Sequence, residues 1–214
     1  MTTGLKATAV LIPFKADRRK SRLSGILGPG QRRRLAELML LDTLRAFRVA
    51  DLLPRCYVIT SDVRALALAR RAGVQTIRES RDEGVNAAVW MGVRALGGQV
   101  RDFMVIPSDL PTLTADEVMH ALALKHIFGC VLSPSRSFDG TNLLIFSRKA
   151  LPTLSYDSDS FWNHVRWAAM NGLSLAVYGG EGTMSDVDTP EDLRSLSLFS
   201  KGIPSVRYAR EALK

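Results

Sequence analysis

The chain has 214 residues, 46% of them hydrophobic and 23% charged, which fits one globular domain and excludes a disordered or fibrous chain. No apolar run is long enough to span a membrane and the first residues lack the apolar stretch of a signal peptide, so a cytoplasmic protein with no membrane partner is expected. The formal charge of +8 suits polyanionic ligands, yet no aromatic residues interleave the basic runs, which weighs against single-stranded nucleic acid.

The elements alternate along the chain. Ala7–Ile12 reads as a first buried strand, followed by a loop carrying Lys15, Arg18, Arg19, Lys20 and Arg22. Gln31–Arg48 reads as a helix with a broad apolar stripe. Cys56–Thr60 is a strand ended by Ser61-Asp62, which can cap an arginine-rich helix. Val74–Ile77 is a short strand, and Val85–Leu96 a helix stopped by Gly97-Gly98. Asp102–Pro107 is an apolar strand, and Thr114-Ala115-Asp116-Glu117 a capping box opening a helix to about Ile127. Cys130–Ser133 and Asn142–Phe146 are strands, Phe161–Met170 is a helix, and Leu173–Tyr178 is a strand. A last helix starts at Thr189-Pro190, with proline in its first turn. From Phe199 the chain is basic and weakly patterned, and reads as a peripheral tail. This alternation predicts an α/β/α sandwich with a mostly parallel central sheet.

In an open α/β sheet, ligands bind at the C-terminal edge of the strands, where the loop after strand one sits. Five cations there suit a triphosphate, or make a solvated basic loop. Asp109, in Ser108-Asp109-Leu110-Pro111, ends the central strand and can hold Mg²⁺ through a carboxylate, or simply belong to a turn. Asp186 and Asp188 alternate along an extended segment, which puts both on one side. Asp188 reads as the cap of the following helix, leaving Asp186 free as a second metal carboxylate. Asn86 offers the donors and acceptors that reading a base edge requires, or caps a helix. Ser160, at a helix start, can cradle an anion. Cys56 and Cys130 lie in apolar runs without CxxC spacing and read as buried thiols. His120, His126 and His164 show no metal-ligand spacing.

Taken in order, KADRRKSRLS, DEGVNAAV, VIPSDLPTL, SPSRSFDGTN, SDSFWNH and MSDVDTPEDL resemble the motifs of the 2-phospho-L-lactate guanylyltransferase family (CofC), within the MobA-like nucleotidyltransferases. The resemblance covers roughly residues 7 to 198 of a single domain, 1–214, leaving 199–214 as the basic tail. It implies a Rossmann-like fold and a reaction in deazaflavin coenzyme (factor 420) biosynthesis, with GTP and a small phosphorylated carboxylic acid as substrates and Mg²⁺ as cofactor. A phosphate oxygen of the acid attacks the α-phosphorus of GTP, and pyrophosphate leaves. It is compatible with a homodimer.

The resemblance also implies site residues. Lys15, Lys20, Ser21 and Arg22 would hold the triphosphate and its leaving group, with Pro13 and Ser108 beside the nucleotide. Asn86 and Ala87 would lie near the guanine. Asp109 and Asp186 would carry the metal, and Lys15, Lys20, Arg22 and Asp109 would be catalytic. Thr141, Asn142, Asp157 and Ser160 would meet the acceptor. Two departures fall in the acceptor pocket: Asp157 stands where relatives carry a glycine, and the loop before Gly140 is shortened. 2-Phospho-L-lactate is the first choice of acceptor, with phosphoenolpyruvate and 3-phospho-D-glycerate as alternatives within the family. A molybdopterin-loading relative would carry a Gly-rich loop after strand one, which this chain lacks. A basic nucleic-acid-binding module would leave Asp109 and Asp186 without a role, and the retained Lys15, Lys20, Arg22, Asp109 and Asp186 count against a non-catalytic nucleotide binder.

Overall fold

The computed structural model describes residues 8–15, 20–96, 98, 100–199 and 202–214. Seven strands form one sheet: β1 (Thr8–Pro13), β2 (Cys56–Thr60), β3 (Gln75–Arg78), β4 (Asp102–Val105), β5 (Cys130–Pro134), β6 (Thr141–Ser147) and β7 (Leu175–Val177). Their order across the sheet is β3-β2-β1-β4-β6-β5-β7. Every pairing is parallel except those of β6, which runs antiparallel to both β4 and β5. From β1 the chain winds outward to β2 and β3, then returns to place β4 on the other side of β1. The crevice between the ends of β1 and β4 is therefore the topological switch point where an α/β sheet binds its ligand. Because β6 is reversed, its first residues reach that same edge.

Among the described residues seven helices surround the sheet: α1 (Pro29–Val49), α2 (Val63–Arg71), α3 (Val85–Leu96), α4 (Ala115–Lys125), α5 (Ser160–Met170), α6 (Pro190–Leu198) and α7 (Pro204–Ala212). β1 is buried on both faces, so its residues divide by the two-residue period of a strand. Val10 and Ile12 join Leu40, Leu44 and Phe47 of α1, Ala69 of α2 and Val118 of α4 in one core. Ala9 and Leu11 join Val89 of α3 and Trp167 of α5 in the other. The expected three layers result. Gly92 lets α3 approach the sheet closely: a Cβ there would come within 2.7 Å of Ile59 and 2.9 Å of Leu11.

Local signals explain where the helices begin. Asp62 caps α2 by accepting from the backbone N–H groups of Arg64 and Ala65. Thr114 and Glu117 form a reciprocal capping box on α4, as the sequence predicts. α3 runs over Val85–Leu96 as expected; Gly97 of its predicted stop lies outside the described residues. The strand predicted over Asp102–Pro107 ends at Val105, since Ser108-Asp109-Leu110-Pro111 turns away from the ladder at the ligand edge.

Two expectations are corrected. Asp188 is not the cap of α6. Thr189 is: its side chain accepts from the Asp192 N–H while Asp192 reaches back to Thr189. The capping box extends over Thr189-Pro190-Glu191-Asp192, which frees Asp188 for other work. Nor is the stretch after Phe199 a loose tail. It carries α7, whose Val206 and Ala209 are buried with Leu35 and Met39 of α1 and Leu193 and Leu196 of α6. The Asp42 carboxylate of α1 accepts from the Ser205 N–H at 3.0 Å, supplying an acceptor for one of the otherwise unpaired donors at the start of α7. Burial holds the Asp42 carboxyl above its usual range.

Candidate active site

A cleft of about 890 Å³ opens along the ligand edge of the sheet. Its floor and walls come from Pro13 and Val105 at the ends of β1 and β4, the turn at Asp109, the β5–β6 hairpin tip, the start of β6, the 156–160 segment before α5, and the 186–192 segment before α6. Seven aspartates line it against two arginines, Arg22 and Arg136. A protein of net charge +8 thus lines its main cavity with carboxylates. An anionic ligand can enter only if a cation comes with it or the acids are neutralised from within.

Part of that neutralisation is built in. The Lys20 ammonium, almost fully buried, sits 2.9 Å from Asp109 Oδ2 and 2.7 Å from Asp188 Oδ1, and donates to the Val187 carbonyl. Burial alone would lower the Lys20 pKa, but the charges of Asp109 and Asp188 outweigh it and hold the pKa above the usual lysine range. Asp186 receives the Asn142 amide at 2.9 Å. Its carboxyl is nevertheless pushed up to about 6, first by burial and then by the charge of Asp109. That second influence places the Asp109 and Asp186 carboxylates within electrostatic reach of each other.

Those two acids offer only hard oxygen donors. Among the described residues, no group of three or more His, Cys, Asp or Glu is gathered to cage a metal. An open pair of carboxylates fits Mg²⁺, which keeps several waters and completes its shell with phosphate oxygens, better than zinc, which favours nitrogen and sulfur.

The opposite wall is made of short loops and polar side chains, Asp139, Asp157 and Asp159 among them. Asp139 holds the hairpin tip by accepting from Ser135 Oγ at 2.7 Å and Ser137 Oγ at 2.5 Å, and these bonds, that from Ser137 first, hold its pKa below the ordinary carboxylate value. Phe138 at φ 61° and Asp159 at φ 46° both occupy left-handed backbone beside the cleft, a conformation uncommon outside glycine and kept where surrounding contacts enforce it. Thr141, Asn142 and Ser160 are buried polar residues facing the same space.

The comparisons with known proteins agree with this geometry. The family model described as "Guanylyl transferase CofC like" matches residues 8–213. The chain belongs to the CofC guanylyltransferase family. A 3-phospho-D-glycerate guanylyltransferase from Phenylobacterium zucineum is 36% identical over 177 residues, 81% of each chain. A 2-phospho-L-lactate guanylyltransferase from Methanocaldococcus infernus is 30% identical over 189 residues, 88% of this chain and 83% of its own. Among solved structures, a nucleotidyl transferase from Methanothermobacter thermautotrophicus superposes with a TM-score of 0.65 at 15% identity, covering 95% of this chain and 98% of that one. The chain is thus a nucleotidyltransferase of the CofC family, while its relatives of similar identity differ in their acceptor.

Within this CofC chain the predicted site residues fall into three groups. Pro13, Ser21, Arg22, Asp109, Thr141, Asn142, Asp157, Ser160 and Asp186 all line the cleft. Lys20 lies just beneath it, on Asp109 and Asp188 rather than extended toward a ligand. Lys15, Asn86, Ala87 and Ser108 are not among the residues that line it. Lys15 is ion-paired with Glu79 at 2.5 Å and Asp82 at 3.0 Å, which ties the loop after β1 to the segment before α3. Both ends of the Asn86 amide are also engaged: Nδ2 donates to Asp157 at 2.9 Å and Oδ1 accepts from the Tyr156 N–H at 3.0 Å. Asp157 therefore has a neutral partner of its own. Arg18 and Arg19 of the basic loop lie outside the described residues.

Two cleft residues, Asp188 and Arg136, and the buried His164 escaped sequence reasoning. Asp188 was available in the acidic cluster, but its position before Thr-Pro has the pattern of a cap. Arg136 stands in the SPSRSFDGTN motif as one more cation in a basic chain; here it donates to Ser185 Oγ at 3.0 Å from the cleft wall. His164 was set aside for lack of metal spacing, and its use depends on partners far apart in sequence.

Proposed function

We propose that this protein transfers GMP from GTP to the phosphate of a small phosphorylated carboxylic acid, 2-phospho-L-lactate being the first choice, as a step of deazaflavin coenzyme (factor 420) biosynthesis. The observation that carries the reading is the acidic cleft at the β1–β4 switch point, walled on one side by Asp109, Asp186, Lys20 and Arg22 and on the other by Thr141, Asn142 and Ser160. Such a cleft suits a pair of anionic substrates accompanied by a divalent cation.

The reaction needs no protein nucleophile. An acceptor phosphate oxygen attacks the α-phosphorus, the bond from that phosphorus to the bridging oxygen of the β-phosphate breaks, and the electron pair leaves with pyrophosphate. The nucleophile is already an anion, so no general base is required, and catalysis is positioning and charge neutralisation. Lys15, Lys20, Ser21 and Arg22 would hold the triphosphate and its leaving group, with Pro13, Ser108, Asn86 and Ala87 around the nucleoside. Lys20 would move from the carboxylates toward phosphate when nucleotide binds, exchanging one anionic partner for another. Asp109 and Asp186 would hold Mg²⁺, which, when bound, neutralises phosphate charge in the transition state. Arg136, which also lines the cleft, would meet the acceptor's carboxylate together with Thr141, Asn142 and Ser160.

The test is pyrophosphate release from GTP with Mg²⁺, comparing 2-phospho-L-lactate, phosphoenolpyruvate and 3-phospho-D-glycerate against no acceptor, with ATP and CTP as nucleotide controls. Release with GTP and one of the acids is expected. Equal release from ATP, or release that no acid stimulates, would overturn the reading.

A further inference from the structure

His164 takes no part in the chemistry above, yet it is fully buried on α5 against the cleft wall. Its ring nitrogens have unlike partners. Nε2 lies 3.4 Å from the backbone nitrogen of Ser155, which can only donate. Nδ1 lies 2.9 Å from Thr141 Oγ1. A backbone N–H pointing at Nε2 makes that nitrogen the acceptor, so the neutral ring carries its hydrogen on Nδ1. Burial keeps the ring neutral by pushing its pKa down to about 4. Tyr156 packs against the imidazole edge-on, with centroids 5.0 Å apart, and holds the ring plane. Nδ1–H therefore donates to Thr141 Oγ1, and the threonine must direct its own hydrogen elsewhere. Thr141 opens β6 and lines the cleft beside Asn142 and Ser160.

We propose that His164 is a positioning residue that converts the Thr141 hydroxyl into an obligate donor aimed into the cleft, where it takes an oxyanion of the acceptor's phosphate or carboxylate. The assignment of the ligand rests on the acceptor reading given above. A threonine with no such partner can donate or accept and discriminates little. One whose oxygen already accepts from a buried N–H favours an anionic oxygen and offers less to a ligand group that can only donate.

Two measurements test this. In ¹⁵N-histidine-labelled protein at pH 7, long-range proton–nitrogen NMR should show the His164 ring protonated on Nδ1 and bare on Nε2, the signal being assigned by its loss in a His164 variant. A ring protonated on Nε2 overturns the inference. In steady-state kinetics, Thr141→Val should raise the acceptor KM by about tenfold or more while the GTP KM stays within about twofold, and Thr141→Ser should restore it. His164→Asn keeps a donor nitrogen at the same bond distance from Cα as Nδ1, whereas His164→Gln can reach only the Nε2 position. The Asn variant should therefore hold the acceptor KM within about threefold, and the Gln variant should match Thr141→Val. Equal impairment of Asn and Gln at unchanged Thr141 dependence would reduce His164 to a packing residue. Absence of turnover with every acceptor would instead remove the ligand from the inference, while the tautomer still decides the His164–Thr141 bond.

Discussion

The two walls of the cleft are built from different forces. On the β1 side, charge is locked against charge. Lys20 lies between Asp109 and Asp188, and outside the cleft lining Lys15 lies between Glu79 and Asp82. On the β6 side, neutral donors make the contacts, to neutral and carboxylate acceptors alike: Thr141 with His164, Asn142 on Asp186, Asn86 across to the 156–157 backbone and side chain, Asn163 on Ser155. The first wall resists a ligand until a cation changes its electrostatics. The second reads shape and donor pattern without a large charge rearrangement. A triphosphate accompanied by metal suits the first, and a small acid chosen among near-identical relatives suits the second.

The sharpest way to break this contrast is Asp109→Asn, which removes charge with little change in volume. Turnover should fall by at least about a thousandfold with the fold retained, judged by circular dichroism and initial rates. Preserved Mg²⁺-dependent turnover would sink the metal assignment of that wall. Lys20→Met should come next. It leaves Asp109 and Asp188 uncompensated, with an expected loss of about 3–5 kcal/mol of stability in the absence of divalent cation. Added Mg²⁺ should raise the melting temperature of this variant more than that of the parent protein, because the ion restores the missing positive charge. Equal shifts would mean that the ammonium and the ion do not share a site.

The β6 wall makes a prediction about pH. The buried His164 has a folded pKa of about 4, below its unfolded value of 6.5. Its contribution to stability is complete above pH 6.5 and is lost as pH falls from 6.5 to 4, by about 3 kcal/mol in all. Asp186 acts in the opposite sense: its folded pKa of about 6 lies above the ordinary 3.8, so protonation between those values favours the folded state. The two partly cancel in the native protein. In Asp186→Asn the histidine dependence should emerge more strongly, as a steeper loss of denaturation midpoint between pH 6.5 and 4. An unchanged slope would contradict the assignment of one or both groups.

Smaller effects sharpen the comparison further. Asp157→Gly should change the acceptor KM by several-fold, and because it also frees the Asn86 amide assigned to the nucleoside, the GTP KM should shift by a smaller factor. Asp42→Ala, far from both walls, should cost about 1–2 kcal/mol by removing the acceptor for the Ser205 N–H, with hydrogen exchange quickening in α7 and kcat untouched.

What was legible in the sequence follows from how local each signal is. Alternating apolar runs and caps located β2 and α3 to the residue, and the aspartate after an apolar strand located Asp109 at the ligand edge. α7 was missed although Ile203, Val206 and Ala209 recur every three residues, because nine residues is too short for periodicity to stand out in a basic segment. Asp188 was misread because an acid before Thr-Pro fits a helix start as well as an ion pair. The Lys15–Glu79 pair spans 64 positions and the Lys20–Asp188 pair 168. No local pattern announces such partners; only the strand order brings them together.

The single reversed strand has an evolutionary consequence. Because β6 runs against its neighbours, the hairpin from Pro134 to Thr141 projects at the ligand edge, joined to the sheet by two antiparallel ladders and steadied by Arg136 on Ser185 and Phe138 on Phe161. Residues can be added to or removed from its tip without moving β1 or β4. A lineage can thus retailor which acid it accepts by editing a few codons there, while the machinery that handles the nucleotide is inherited unchanged.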